Sequence, residues 1–230
     1  MNKIPLLGRS QRMLVLPLAW LVASCATYSG KPGSATLVDA ATGRPLGGVV
    51  VAASWNYIDI RTGEFAGVFF MTDAVTDENG EFMLPEWGPR GITMGNSGRV
   101  PRALDYAEPH LHLFKAGFRY RVVTGPKPAI ERLSGLHWHR EPVRDAWWNN
   151  EVMPLEQSAG GVNEYARMLY TSMMPLENCN WVQVPRMAAA YVKEARRLKG
   201  LVDAVPSQTP ERLLQDPCSD AARPLAAYLD

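Results

Sequence analysis

The hydrophobic period of this 230-residue chain changes once, near Leu155. Before that point, apolar residues tend to alternate in short runs broken by Gly and Pro. After it they recur every third or fourth position. Period two belongs to half-buried strands and period 3.6 to amphipathic helices. In Val49–Trp55, Val49, Val51 and Trp55 share one face; Val68–Met71 reads as a second strand. Asn79-Gly80 between apolar runs is a hairpin signal, and Gly43 supplies permissive backbone for a turn at Ala40–Arg44. Phe118–Val122 alternates apolar residues with Arg119 and Arg121, as a half-buried strand should. Short strands with frequent turns predict a sandwich. The stretch Trp87–Pro109, rich in Gly, Pro and Arg, shows neither period and reads as a long contact loop. Beyond Leu155, Val162, Tyr165, Met168, Leu169 and Met173 form one helical stripe. Val184, Met187, Ala188, Tyr191, Ala195 and Leu198 form another, with Pro185 in its first turn and Gly200 past its end. Thr209-Pro210-Glu211 has the order of a further helix start. These stripes are expected to pack on the sandwich or on each other.

The first residues set the compartment. Lys3, Arg9 and Arg12 precede an apolar run, Met13–Ala23, that Pro17 interrupts. A helix needs about 18 or more apolar residues to cross a bilayer, so residues 1–24 read as a secretory signal instead. Without them 21 basic and 23 acidic residues remain, a formal charge of −2. That balance excludes a basic nucleic-acid binder, and 47% hydrophobic content describes a folded chain. Val22-Ala23-Ser24-Cys25 resembles the lipobox of bacterial lipoproteins. The resemblance implies diacylglycerol on the Cys25 sulfur, cleavage before Cys25 and acylation of the new amino terminus. Ala26, in the position after the cysteine, implies outer-membrane sorting with the body facing the periplasm. An ordinary cleaved signal with a chance cysteine is the other reading. Residues 25–33 are small and polar and suit a lipidated tether. Cys179 and Cys218 are then left in an oxidising compartment, where one disulfide is the simplest outcome and two free thiols the alternative.

Three motifs in order carry a second resemblance. Val38-Asp39-Ala40-Ala41-Thr42-Gly43-Arg44-Pro45-Leu46-Gly47-Gly48-Val49-Val50-Val51 resembles the opening of carboxypeptidase regulatory-like domains. Thr76–Pro85 resembles their T-D-x-x-G-x-F-x-L-P strand pair. His112-Leu113-Phe114-Lys115-Ala116-Gly117-Phe118 is similar to their late Lys-x-Gly-aromatic strand end. The resemblance implies a mainly β fold: a transthyretin-like antiparallel β-sandwich over residues 34–155, here followed by a helical C-terminal extension over 156–230. It implies a non-catalytic accessory module, structural or partner-binding. Hydroxyisourate hydrolases on a related fold carry a C-terminal Tyr-Arg-Gly-Ser, which Leu225–Asp230 does not match.

The candidate chemistry is sparse. All four histidines fall in two pairs, His110-Leu111-His112 and His137-Trp138-His139. Residues i and i+2 of a strand point to one side, so four imidazoles can converge on Zn²⁺, Cu²⁺ or Ni²⁺ if the strands are neighbours. Glu108, Glu141 and Asp145 are nearby carboxylates. The simpler expectation places Leu111 and Leu113 in the core and the histidines on the solvent side of an edge strand. Trp147 and Trp148, beside Asn149 and Asn150, can stack on sugars or fill a core. Arg90, Arg99 and Arg102 can meet phosphates or lipid headgroups. Gly95-Asn96-Ser97-Gly98 lacks the nucleophile-elbow order, and no phosphate-loop or His-Glu-x-x-His motif occurs. The sequence thus predicts a non-enzymatic, lipid-anchored envelope protein without a nucleic-acid partner, with a paired-histidine metal protein and a glycan-binding module as alternatives.

Overall fold

The computed structural model describes residues 27–59, 61–91, 102–104, 109–124, 148–171, 179–199, 201 and 228. The strands are β1 (Thr27–Gly30), β2 (Gly33–Asp39), β3 (Val50–Asp59), β4 (Phe65–Val75), β5 (Glu81–Leu84), β6 (Trp87–Gly91), β7 (Arg102–Leu104), β8 (His110–Phe114), β9 (Arg121–Val123) and β10 (Val152–Leu155). The helices are α1 (Val162–Thr171) and α2 (Pro185–Leu198), the latter preceded by a 3₁₀ turn at Asn180–Gln183.

Among the described residues the strands form three sheets. The largest has the order β4-β3-β8-β9, with β7 continuing the β3 edge where β8 stops. The second is β10-β2-β5, and β1 pairs with β6 as a separate ribbon. All described pairings are antiparallel except β10 with β2. The molecule is therefore mainly β, and its two larger sheets enclose an apolar core, as a sandwich does.

β3 explains the layering. Its alternate side chains enter two different cores. Val51, Ala53 and Trp55 join Leu37, Phe82, Leu111, Leu113 and Met153 between the sheets. Val50 and Ala52 face the other way, into a second core with Met71, Phe114, Leu169, Trp181, Met187 and Tyr191. A strand buried on both faces reads as a continuous apolar run, which Val49–Ala53 is. The helices thus cover the back of the large sheet. Val184, Met187, Ala188, Tyr191, Ala195 and Leu198 are all buried, as their spacing predicts, and Pro185 occupies the first turn. In α1, Tyr165 and Leu169 are buried but Val162 is exposed.

Asp73 of β4 fixes α2 in place. Its carboxylate accepts hydrogen bonds from the backbone N–H groups of Arg186 at 2.8 Å and Met187 at 3.0 Å, and lies 3.1 Å from the Arg186 guanidinium. A side chain from the sheet thus supplies the acceptor that the first turn of a helix lacks. Burial pushes this carboxyl above the usual range, against the pull of those donors. Nearby, buried Glu194 holds Arg197 at 2.6 Å. The Tyr165 hydroxyl accepts from the Gly117 N–H at 3.2 Å, and burial pushes its pKa up to about 12.

Several sequence expectations change. The Asn79-Gly80 turn does not close a hairpin between paired strands. It carries the chain from β4 in one sheet to β5 in the other, where β5 pairs with β2. The Thr76 hydroxyl donates to Leu46 O at 2.6 Å and accepts from Val49 N–H at 2.9 Å, which fixes this corner. Gly80, at φ 76°, runs against the Leu37 carbonyl with no room for a Cβ. The expected tether is ordered from Thr27, where β1 begins. The expected long loop contains two strands, β6 and β7, among its described residues. In the Phe118–Val122 run, only Arg121–Val123 forms the strand, with Val122 exposed and Val123 buried. The Thr209 helix start, Gly200 and Met173 lie outside the described residues.

Candidate functional site

The ribbon β1–β6 lies against the Trp55–Phe70 part of the large sheet. Trp87 anchors it, with its ring 4.9 Å from Trp55 and 4.8 Å from Phe70. Gly30 permits this: a Cβ there would overlap the Trp87 indole. Between ribbon and sheet is a cleft of about 670 Å³, whose walls include Lys31, Thr72, Glu86, Trp87 and Arg90. Its aromatic floor, Trp87 and Phe70, is buried, while Lys31, Glu86 and Arg90 are exposed. The Arg90 guanidinium sits over the Phe70 ring, 4.1 Å from its centre. That stacking positions a cation without neutralising it. The cleft can take a small or extended ligand with a polar or anionic group near Arg90.

A second polar cluster is closed. Ser54 of β3, fully buried, places Oγ 3.1 Å from His112 Nε2. His112 Nδ1 lies 2.6 Å from the Tyr120 hydroxyl. β8 is not the edge strand expected: it runs between β3 and β9, and His112 faces the helical layer. Burial, reinforced by His110, lowers the His112 pKa to about 3, so the ring is neutral at ordinary pH. Burial pushes the Tyr120 phenol well above its usual range. A Ser–His contact resembles a nucleophile and its base. Here both ring nitrogens of His112 serve hydroxyls of the core, and the serine has no solvent-accessible surface. The arrangement is that of a satisfied buried network.

The other sequence candidates divide. His110 and His112 share a face of β8, while His137 and His139 lie outside the described residues. Among the described residues no three His, Cys, Asp or Glu side chains group as a metal site. Trp148 is 2% exposed and packs 5.9 Å from Phe82, against Gly33, whose missing Cβ makes the room. It is core and offers no face to a sugar, which corrects its candidacy for glycan binding; Trp147 lies outside the described residues. Cys179, at φ 65°, precedes the 3₁₀ turn and is disulfide-bonded. Cys25, Cys218, Arg99, Glu108, Glu141 and Asp145 lie outside the described residues. Arg102 pairs with Asp59 in the register of β7 with β3. No helix among the described residues is long and apolar enough to cross a membrane. The sequence pointed to Arg90 and to the Trp87–Pro109 segment but not to the cleft, because another part of its wall, Ser29–Lys31, has the composition of a tether.

The chain matches no family model and no curated protein. Among solved structures it is similar to 3-chlorocatechol 1,2-dioxygenase from Rhodococcus opacus 1CP, with 18% identity over 58% of this chain and 62% of that one, at a TM-score of 0.31. The match thus spans less than two thirds of that enzyme, and a likeness this loose carries no argument about fold family or chemistry.

Proposed function

We propose that this chain is a lipid-anchored envelope protein that works without catalysis, through a transthyretin-like sandwich that presents a binding cleft at the membrane. Its Cys25 carries the lipid in this reading, Cys179 pairs with Cys218, and the body faces the periplasm from the outer membrane. The observation that carries the binding role is the cleft between the β1–β6 ribbon and β4. It combines a buried aromatic floor with an exposed, ring-stacked Arg90. The Ser54–His112–Tyr120 cluster is closed off inside the core, which supports the same reading.

The test has two arms. Intact-mass measurement of the membrane-extracted protein should show a chain beginning at Cys25 with the added mass of diacylglycerol and an acyl group. A photo-reactive amino acid in place of Glu86, at the cleft mouth, should give one dominant cross-linked product in cells, and Arg90→Glu should abolish it. An unmodified cysteine removes the anchor, and a product indifferent to Arg90→Glu removes the cleft.

A further inference from the structure

The fold fixes which end of the sandwich meets the leaflet. β2 runs from Gly33 to Asp39, and towards its end Leu37 donates to Gly80 O and accepts from Leu46 N–H, at the corner where Thr76 N–H bonds Val49 O. That is the Val75 end of β4, because Val75 pairs with Val50 at the start of β3. The chain therefore joins the sandwich towards the opposite end, where β4 begins at Phe65. The aromatic contacts agree: Tyr28 of β1 lies 6.0 Å from Phe69, which in turn lies 5.3 Å from Tyr57, near the Phe65 end of the β3–β4 pair. From Thr27 the chain is two residue steps from Cys25, with Ala26 between them, a reach of at most about 7 Å. No long tether separates the acyl chains from the folded body.

Phe65 is the residue this geometry leaves unexplained. It is 57% exposed at the start of β4, where a ring has no packing duty. β4 spans ten residue steps from Phe65 to Val75, about 33 Å at the rise of a strand. One end of this strand is therefore held near the lipid and the other far from it. The charged groups facing Phe65 from its own hairpin are Asp59, Arg61 and Glu64, with Arg61 paired to Asp59 at 3.4 Å. Together they carry a formal charge of −1, so contact with a leaflet here does not draw on anionic lipid.

We infer that the Arg61–Phe65 end of the β3–β4 hairpin is a membrane-contact surface, with the Phe65 ring seated at the headgroup–acyl boundary of the leaflet that holds the Cys25 lipid. This inference rests on acylation of Cys25. It adds an orientation: the hairpin stands on the bilayer and the Asp39–Arg44 and Asp77–Gly80 turns point away from it.

The experiment uses the full chain in membranes, with a photo-cross-linking phenylalanine analogue at position 65 or, as the distal control, at position 75, where Val75 is 43% exposed. Mass spectrometry first establishes that Cys25 is acylated, then reads phospholipid adducts after illumination. At least fivefold more lipid adduct at 65 than at 75 is the expected result. An acylated protein with equal or absent adducts at 65 overturns the orientation while leaving the anchor standing. An unacylated Cys25 overturns both. A measurement on the unsubstituted side chains guards against misfolding: amide exchange at Arg61–Phe65 should slow at least fivefold in vesicles of phosphatidylethanolamine relative to the unacylated Cys25→Ser chain in solution. Unchanged exchange there overturns the surface.

Discussion

The two cores on either side of β3 are built differently. Between the sheets, apolar and aromatic side chains do the packing, and the Nε1 groups of Trp87 and Trp148 are buried without a hydrogen-bond partner. Behind the large sheet, the core is threaded with polar groups: Ser54, His112 and Tyr120 in one network, and Asp73 and Glu194 at the helices. The first core is non-directional, since apolar burial is roughly proportional to area and tolerates many arrangements. The second is directional. Asp73 has a fixed pair of N–H groups to meet, so it sets where along β4 the helix begins. A helix laid on a sheet has no ladder of backbone hydrogen bonds to fix its register, and the Asp73 contacts do that work for α2.

The contrast is tested first by truncation. Leu111→Ala between the sheets and Trp181→Ala in the helical layer should each cost about 2–5 kcal/mol in urea unfolding. Trp181→Ala should also lower helical circular dichroism before global unfolding, whereas Leu111→Ala should leave one coincident transition. Coincident transitions in both variants would mean that the layers unfold as one unit.

The second prediction concerns pH. His112 has a folded-state pKa of about 3, below its ordinary 6.5. The unfolded chain therefore binds a proton that the folded chain refuses. Its contribution is fully present above pH 6.5 and is lost as pH falls from there towards 3, by up to about 1.4 kcal/mol per unit. Urea midpoints at pH 7.5 and 5.0 should differ, and His112→Gln should flatten this part of the slope. An unchanged slope in the variant would show that His112 does not control it.

The smallest expected effect is at the helix start. Asp73→Ala should cost about 1–3 kcal/mol, as a buried cap with an ion pair removed, and Asp73→Asn less, since its carbonyl still accepts. Equal losses in both would show that charge, and not the geometry of acceptance, docks α2.

Much of the fold was legible locally. Period 3.6 in Val184–Leu198 is reproduced, and Val49, Val51 and Trp55 share one core as period two predicts, but the strand is buried on both faces and not half-buried. The candidate site was not legible, because its walls are far apart in sequence. Ser29–Lys31 meets Trp87–Arg90 only through the β1–β6 pairing, and a small polar segment joined to a folded body has the same composition as a free tether. His112 was misplaced for a similar reason: alternation says that two histidines share a face, but not whether that face meets water or a helix.

The sequence by itself determined the strand runs at Val49–Trp55 and Val68–Met71, the helical stripe of Val184–Leu198 and the resemblance of Cys25 to a lipidation site, since each is written in residues a few positions apart. Only the tertiary structure decided that the Asn79-Gly80 turn joins two sheets, that the helices roof the large sheet and that Trp148 is core. Those outcomes depend on which distant surface each segment buries, and a period fixes the face of a segment without naming what will cover it.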